Sequence, residues 1–98
     1  MFDHISLGVR DIARAKAFYD AALKPLGYRC LSDGAESLGY GANAVALWIG
    51  KADRPVTPDE KSGLHVCFAA PSRTSVDAFY QAALGGGGRD NGKPGLRA

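Results

Sequence analysis

Apolar and polar residues alternate through residues 2–9: Ile5, Leu7 and Val9 fall on one side of an extended chain, and His4, Ser6 and Gly8 on the other. The spacing then changes to that of a helix over residues 12–26. Ile12, Ala15, Tyr19, Ala22 and Leu26 share one face, with Phe18 and Leu23 beside it. Asp11 is placed to cap that helix, Lys24-Pro25 spoils its last turn, and Gly27 ends it. Residues 28–31 read as a second strand and 32–36 as a turn. Residues 37–49 read as one or two strands around Gly41-Ala42-Asn43. Pro55, Pro58 and a dense set of charges make residues 51–63 a surface connector. Residues 64–70 then read as another strand. Val66, Phe68 and Ala70 face the helices, and His65, Cys67 and Ala69 face the other way. Thr74-Ser75-Val76-Asp77 offers a capping box for a helix running to about Leu84, where Gly85-Gly86-Gly87-Gly88 stops it. That glycine run follows a helix and lacks the Lys-Ser/Thr of a phosphate loop, so it reads as a cap and linker.

Laid over one another, the two strand-then-helix stretches repeat at an offset of 61 (65 − 4 for His4 and His65, 79 − 18 for Phe18 and Phe79). Ala17-Phe-Tyr-Asp-Ala-Ala-Leu23 and Ala78-Phe-Tyr-Gln-Ala-Ala-Leu84 match without a gap. A single matched helix face is common by chance; one that also keeps two histidines in register is not. The pattern predicts a duplicated domain rather than an array of short repeats. Adding 61 to residues 38–50 gives 99–111, and the sequence has 98 residues, so the second unit is expected to lack its closing strands. A truncated second unit is the favoured reading over one that was never complete. The unpaired backbone left at residues 64–70 or 45–49 is expected to recruit another chain, giving a homodimer or higher homo-oligomer.

Ninety-eight residues form one domain. A net charge of +2 is too weak to argue for nucleic acid, and no apolar stretch is long enough to span a membrane. With no leader pattern at Met1, the expected location is cytoplasmic. Cys30 and Cys67 have no metal or redox spacing and read as two buried thiols. Cys67 sits two residues from His65, but no further activating base is evident for a nucleophile.

His4 and His65 are the candidate metal ligands. Imidazole suits zinc, iron, nickel and copper, and it also suits proton transfer near neutral pH. Equivalent places in a duplicated unit put both on the same expected concave face, opposite the helices. A catalytic site wants about three protein ligands and an open position, so two imidazoles alone predict weak binding.

The segments Asp3-His-Ile-Ser-Leu-Gly-Val-Arg-Asp-Ile12 and Ala17-Phe-Tyr-Asp-Ala-Ala-Leu-Lys-Pro-Leu-Gly-Tyr28 resemble the vicinal oxygen chelate superfamily. That superfamily holds glyoxalase I, bleomycin-resistance proteins, extradiol dioxygenases and fosfomycin-resistance enzymes. Gly63-Leu-His-Val-Cys-Phe68 and the helix around Ala78-Phe-Tyr80 resemble its second module. The resemblance implies an α+β fold of paired βαβββ modules (glyoxalase/bleomycin resistance/dihydroxybiphenyl dioxygenase-like). Residues 1–50 would be the first module, 51–63 the linker, and 64–98 the opening strand and helix of the second. It also implies that His4 and His65 match ligand positions. A further ligand, often glutamate, is expected on the last strand of each module. In the first module that place falls at Leu47 or Trp48, and neither can ligate a metal. Asp59, Glu60 and Glu36 are carboxylates away from the matching place.

Two functions follow from the resemblance, with a third at its margin. The first is a metal-dependent enzyme, lyase or dioxygenase in type, acting on a small oxygen-rich substrate. Its divalent metal (zinc, nickel, iron or manganese) would be weakly held by this chain. The second is a non-catalytic, drug-sequestering module whose small-molecule ligand stacks on Trp48 and Tyr40. The third is a truncated remnant without activity.

Overall fold

The structure, a computed structural model, describes residues 2–55, 65–90 and 92–95. Its sheet contains β1 (Ile5–Val9), β2 (Arg29–Asp33), β3 (Ser37–Gly41) and β4 (Val45–Lys51), in the order β1-β4-β3-β2. β1 runs parallel to β4, with Ile5 opposite Leu47 and Leu7 opposite Ile49. The β2–β3 and β3–β4 pairs are antiparallel. Helix α1 (Ile12–Leu23) carries the chain from β1 across the sheet, and a 3-10 turn (Lys24–Leu26) closes it. Helix α2 (Arg73–Gly85) follows the connector. The α+β class and the complete first βαβββ module are as expected from the sequence.

Local chemistry accounts for the ends of α1. The Asp11 carboxylate accepts from the Arg14 backbone N–H at 3.0 Å, satisfying a donor that the first turn leaves free. Pro25 supplies no N–H, so the last turn tightens, and Gly27 ends it at φ +87°, where a side chain would be strained. The apolar face of α1 then meets the apolar sides of β3 and β4. Ala15, Leu23, Leu26, Leu38, Tyr40, Leu47 and Ile49 form the buried core. Leu7 and Val9 of β1 pack against it, in keeping with their predicted side of the strand.

Four expectations need correction. β2 runs two residues further than predicted, to Asp33, because the ladder slips between Cys30 and Ser32 and resumes with Ser32 opposite Gly39. The capping box belongs to Ser72, not Thr74. The Ser72 hydroxyl accepts from the Ser75 N–H, and the Ser75 hydroxyl oxygen accepts from the Ser72 N–H, both at 3.1 Å. β4 is not an open edge, since β1 and β3 flank it; the outer strands are β1 and β2. Finally, the expected strand at residues 64–70 does not form. Residue 64 lies outside the described residues, and 65–70 join no ladder. In the first unit the partner of β1 is β4. The positions 61 further on are 106–112, which this sequence does not contain. Without that neighbour, no ladder among the described residues takes up the segment's backbone hydrogen bonds.

Candidate functional site

Two neighbourhoods could receive a ligand, and they lie on opposite sides of the sheet. On the side away from the helices, strand alternation and register place Ser6 and Gly8 beside Trp48 and Gly50, which in turn neighbour Gly39 and Ser37. Trp48 is half-buried at the middle of this face. Gly39 lies directly beneath its ring: a Cβ there would meet Trp48 Cζ3 at 2.9 Å and the Val45 methyls at the same distance. The indole therefore lies down on the sheet because its neighbour has no side chain. Around it are the Val45 methyls, the Ser6 and Ser37 positions, and glycines.

His4 immediately precedes β1. Its side chain is about half exposed, and its Nδ1 lies 2.9 Å from Asp3 Oδ1. Alternation sets it on the side opposite Ile5, the same side as Ser6 and Trp48. His65 is exposed at the start of the described part of the second unit. The third donor is absent from the matching strand: Leu47 is buried in the core, and the Trp48 indole N–H is a donor only. Glu36 lies exposed in the turn before β3, with its carbonyl accepting from the Lys51 N–H. Asp59 and Glu60 lie outside the described residues. Among the described residues no three His, Cys, Asp or Glu side chains converge. By themselves these residues do not complete the donor set of a catalytic metal site.

Tyr40 sits on the other side of the sheet. It pairs with Leu47, is 1% exposed, and donates from its hydroxyl to Asp20 Oδ1 at 2.7 Å. Burial, and next the bond to Asp20, push its phenol well above the usual tyrosine range. Asp20 also receives Lys16 Nζ at 2.6 Å. Burial alone would raise that carboxyl, but the hydrogen bonds from Lys16 and Tyr40 outweigh it and hold it below its ordinary value. This group fastens α1 to β3. Tyr40 and Trp48 consequently do not form one stacking surface, because residues 40 and 48 project to opposite faces.

The second neighbourhood is a cavity of about 220 Å³ on the helix side. Its floor includes Ile5, Leu23, Tyr40 and Leu47, and residues 66–69 run along its wall. Four consecutive residues line it, so the segment does not present the alternating faces of a strand. Tyr28 donates to the Ala69 carbonyl at 2.8 Å, and Phe68 packs between Tyr28 and Phe79, with ring centroids 6.5 and 6.3 Å away. Cys67 is exposed and Cys30 half-buried, so neither is the buried thiol expected. The cavity was not legible in the sequence, because its floor residues carry the same apolar signal as the core.

Among the described residues no helix is long and apolar enough to cross a membrane. No family model matches the chain. No curated protein matches it either. Among solved structures, it is similar to the crystal structure of a glyoxalase/bleomycin resistance protein from Albidiferax ferrireducens T118. The two are 32% identical with a TM-score of 0.82, over 96% of this chain and 76% of that one.

Proposed function

Because the chain belongs to the glyoxalase/bleomycin resistance protein family, we propose that it binds a small oxygen-rich molecule on the sheet face opposite the helices. Trp48 carries this reading. It offers a flat apolar ring at the centre of a face that also holds Val45 and several small residues, and Ser6 and Ser37 stand at register positions where hydroxyls can meet ligand oxygens. Trp48 is the single tryptophan of the sequence, so its fluorescence reports on this face alone. Titration with catechol or another vicinal diol should quench it saturably. No saturable change across a panel of vicinal oxygen compounds would sink the proposal.

The second reading is a metal-dependent enzyme of the lyase or dioxygenase type, favoured by the register of His4 and His65 across the repeat. A divalent metal would supply Lewis acidity to vicinal oxygens there. Its remaining donors would come from a second copy or from residues outside the described ones. Elemental analysis of tag-free protein after dialysis separates the two readings. Near-stoichiometric zinc, nickel, iron or manganese, lost in both His4→Ala and His65→Ala, would favour the enzyme.

The reading includes a homodimer. Among the described residues β1 has β4 on one side and no strand on the other, and Phe2 and Ile5 are exposed beside it. Light scattering at micromolar concentration should give a mass above that of one chain. A clean 10.3 kDa species would refute the dimer.

A further inference from the structure

We infer that the cavity beneath residues 66–69 is a second binding site, selective for a neutral single-ring aromatic molecule. It is separate from the proposed Trp48 face and does not rest on that reading, since the sheet lies between them.

Size, lining and the state of its polar groups argue for this occupant. The cavity volume is about 220 Å³, and it is partly open to solvent. An apolar protein cavity of about 150 Å³ is already enough to admit benzene. Its walls are aliphatic and aromatic: Ile5, Leu23 and Leu47 on the sheet and helix side, Val66 and Phe68 on the other, and Tyr28 at the end. The two tyrosine hydroxyls at this site are both already engaged. Tyr28 donates to the Ala69 carbonyl, and Tyr40 donates to Asp20. Among the described residues no charged side chain lines the space. A ligand carrying a charge would leave water without a compensating partner, whereas a neutral ring would exchange water for carbon contacts. The wall can adjust to such a guest. Residues 66–69 are held by the Tyr28 hydrogen bond and the Phe68 ring rather than by a strand ladder.

Cys67 is an exposed thiol in that wall and serves as a reporter. The experiment measures its alkylation rate on the full chain by peptide mass spectrometry, with toluene as probe and benzoate as its charged counterpart. Toluene should slow Cys67 modification severalfold and saturably, raise the melting midpoint by a few degrees, and leave Trp48 fluorescence unchanged. Benzoate should do none of these. Ala46→Trp fills the cavity from an exposed position, and Val66→Trp fills it from the opposite wall. Each should abolish the toluene effect, so a folding failure in one leaves the other to decide. His4→Ala/His65→Ala should retain it, even where it removes any metal. Equal protection by benzoate and toluene, or toluene protection that survives both tryptophan substitutions, overturns the assignment. So does a cavity closed by a second copy: toluene would then have no effect, and Ala46→Trp would lower the mass seen by light scattering.

Discussion

Residues 4–26 and 65–87 carry the same strand-then-helix pattern, but the structure treats them differently. In the first stretch, β1 joins a four-stranded sheet and α1 packs across it. In the second, residues 65–70 join no ladder, and α2 packs chiefly on α1 and the 3-10 turn. Matched positions show the consequence. Ala15 is 9% exposed and Val76 38%, while Leu23 is 1% exposed and Leu84 only half-buried. Both helices form because their hydrogen bonds and caps lie within a few residues. The strands differ because a strand's hydrogen bonds come from a distant segment, and only the first unit contains its partner, β4.

The largest contrast between the two stretches is expected in hydrogen exchange. Amides of β4, paired on both sides, should exchange more slowly than those of residues 65–70 by orders of magnitude. Comparable protection in both would mean that the second segment finds a strand partner in solution. Next in size is a pair of matched core truncations. Leu23→Ala should destabilise the fold by about 2–5 kcal/mol, and Leu84→Ala by about 1 kcal/mol or less, in urea denaturation. Equal losses would show that α2 is as deeply integrated as α1.

A hydroxyl pair gives a smaller contrast. Tyr40→Phe removes a part-buried bond to a carboxylate and should cost about 1–2 kcal/mol. Tyr28→Phe removes the more exposed anchor of Ala69 and should cost about 0.5 kcal/mol, while making Cys67 react faster. The same part-buried group sets an acid dependence. Asp20 has its folded pKa below the unfolded value, so its contribution is present above the unfolded value and is lost as pH falls through the folded one. Stability should therefore decline from roughly pH 4 downward. Asp20→Asn should flatten that limb in thermal melts, and an unchanged acid limb would remove Asp20 from the account.

The smallest effects should be the most alike. Asp11→Ala and Ser72→Ala each remove a helix cap and should each cost about 1 kcal/mol. Near-equal values would show that the two helices are encoded to the same degree, despite their unequal packing. A Ser72→Ala loss far below that of Asp11→Ala would extend the asymmetry to α2 itself.

Much of this molecule was legible as sequence. The helix over residues 12–26 and its Asp11 and Gly27 ends, the turn between β3 and β4, the repeat, and the family resemblance all depend on neighbours within a few residues or on matching two stretches of text. The glycine that seats Trp48 was also visible, though not its purpose, because Gly39 and Trp48 meet only across a ladder. Tertiary structure alone decided which side of the sheet Tyr40 joined and where the ladder slipped at Leu31. It also decided that residues 65–70 would line a cavity and not extend a sheet. Each of these depends on what lies opposite in space. Period-two alternation states that a segment can pair, and it does not contain the partner.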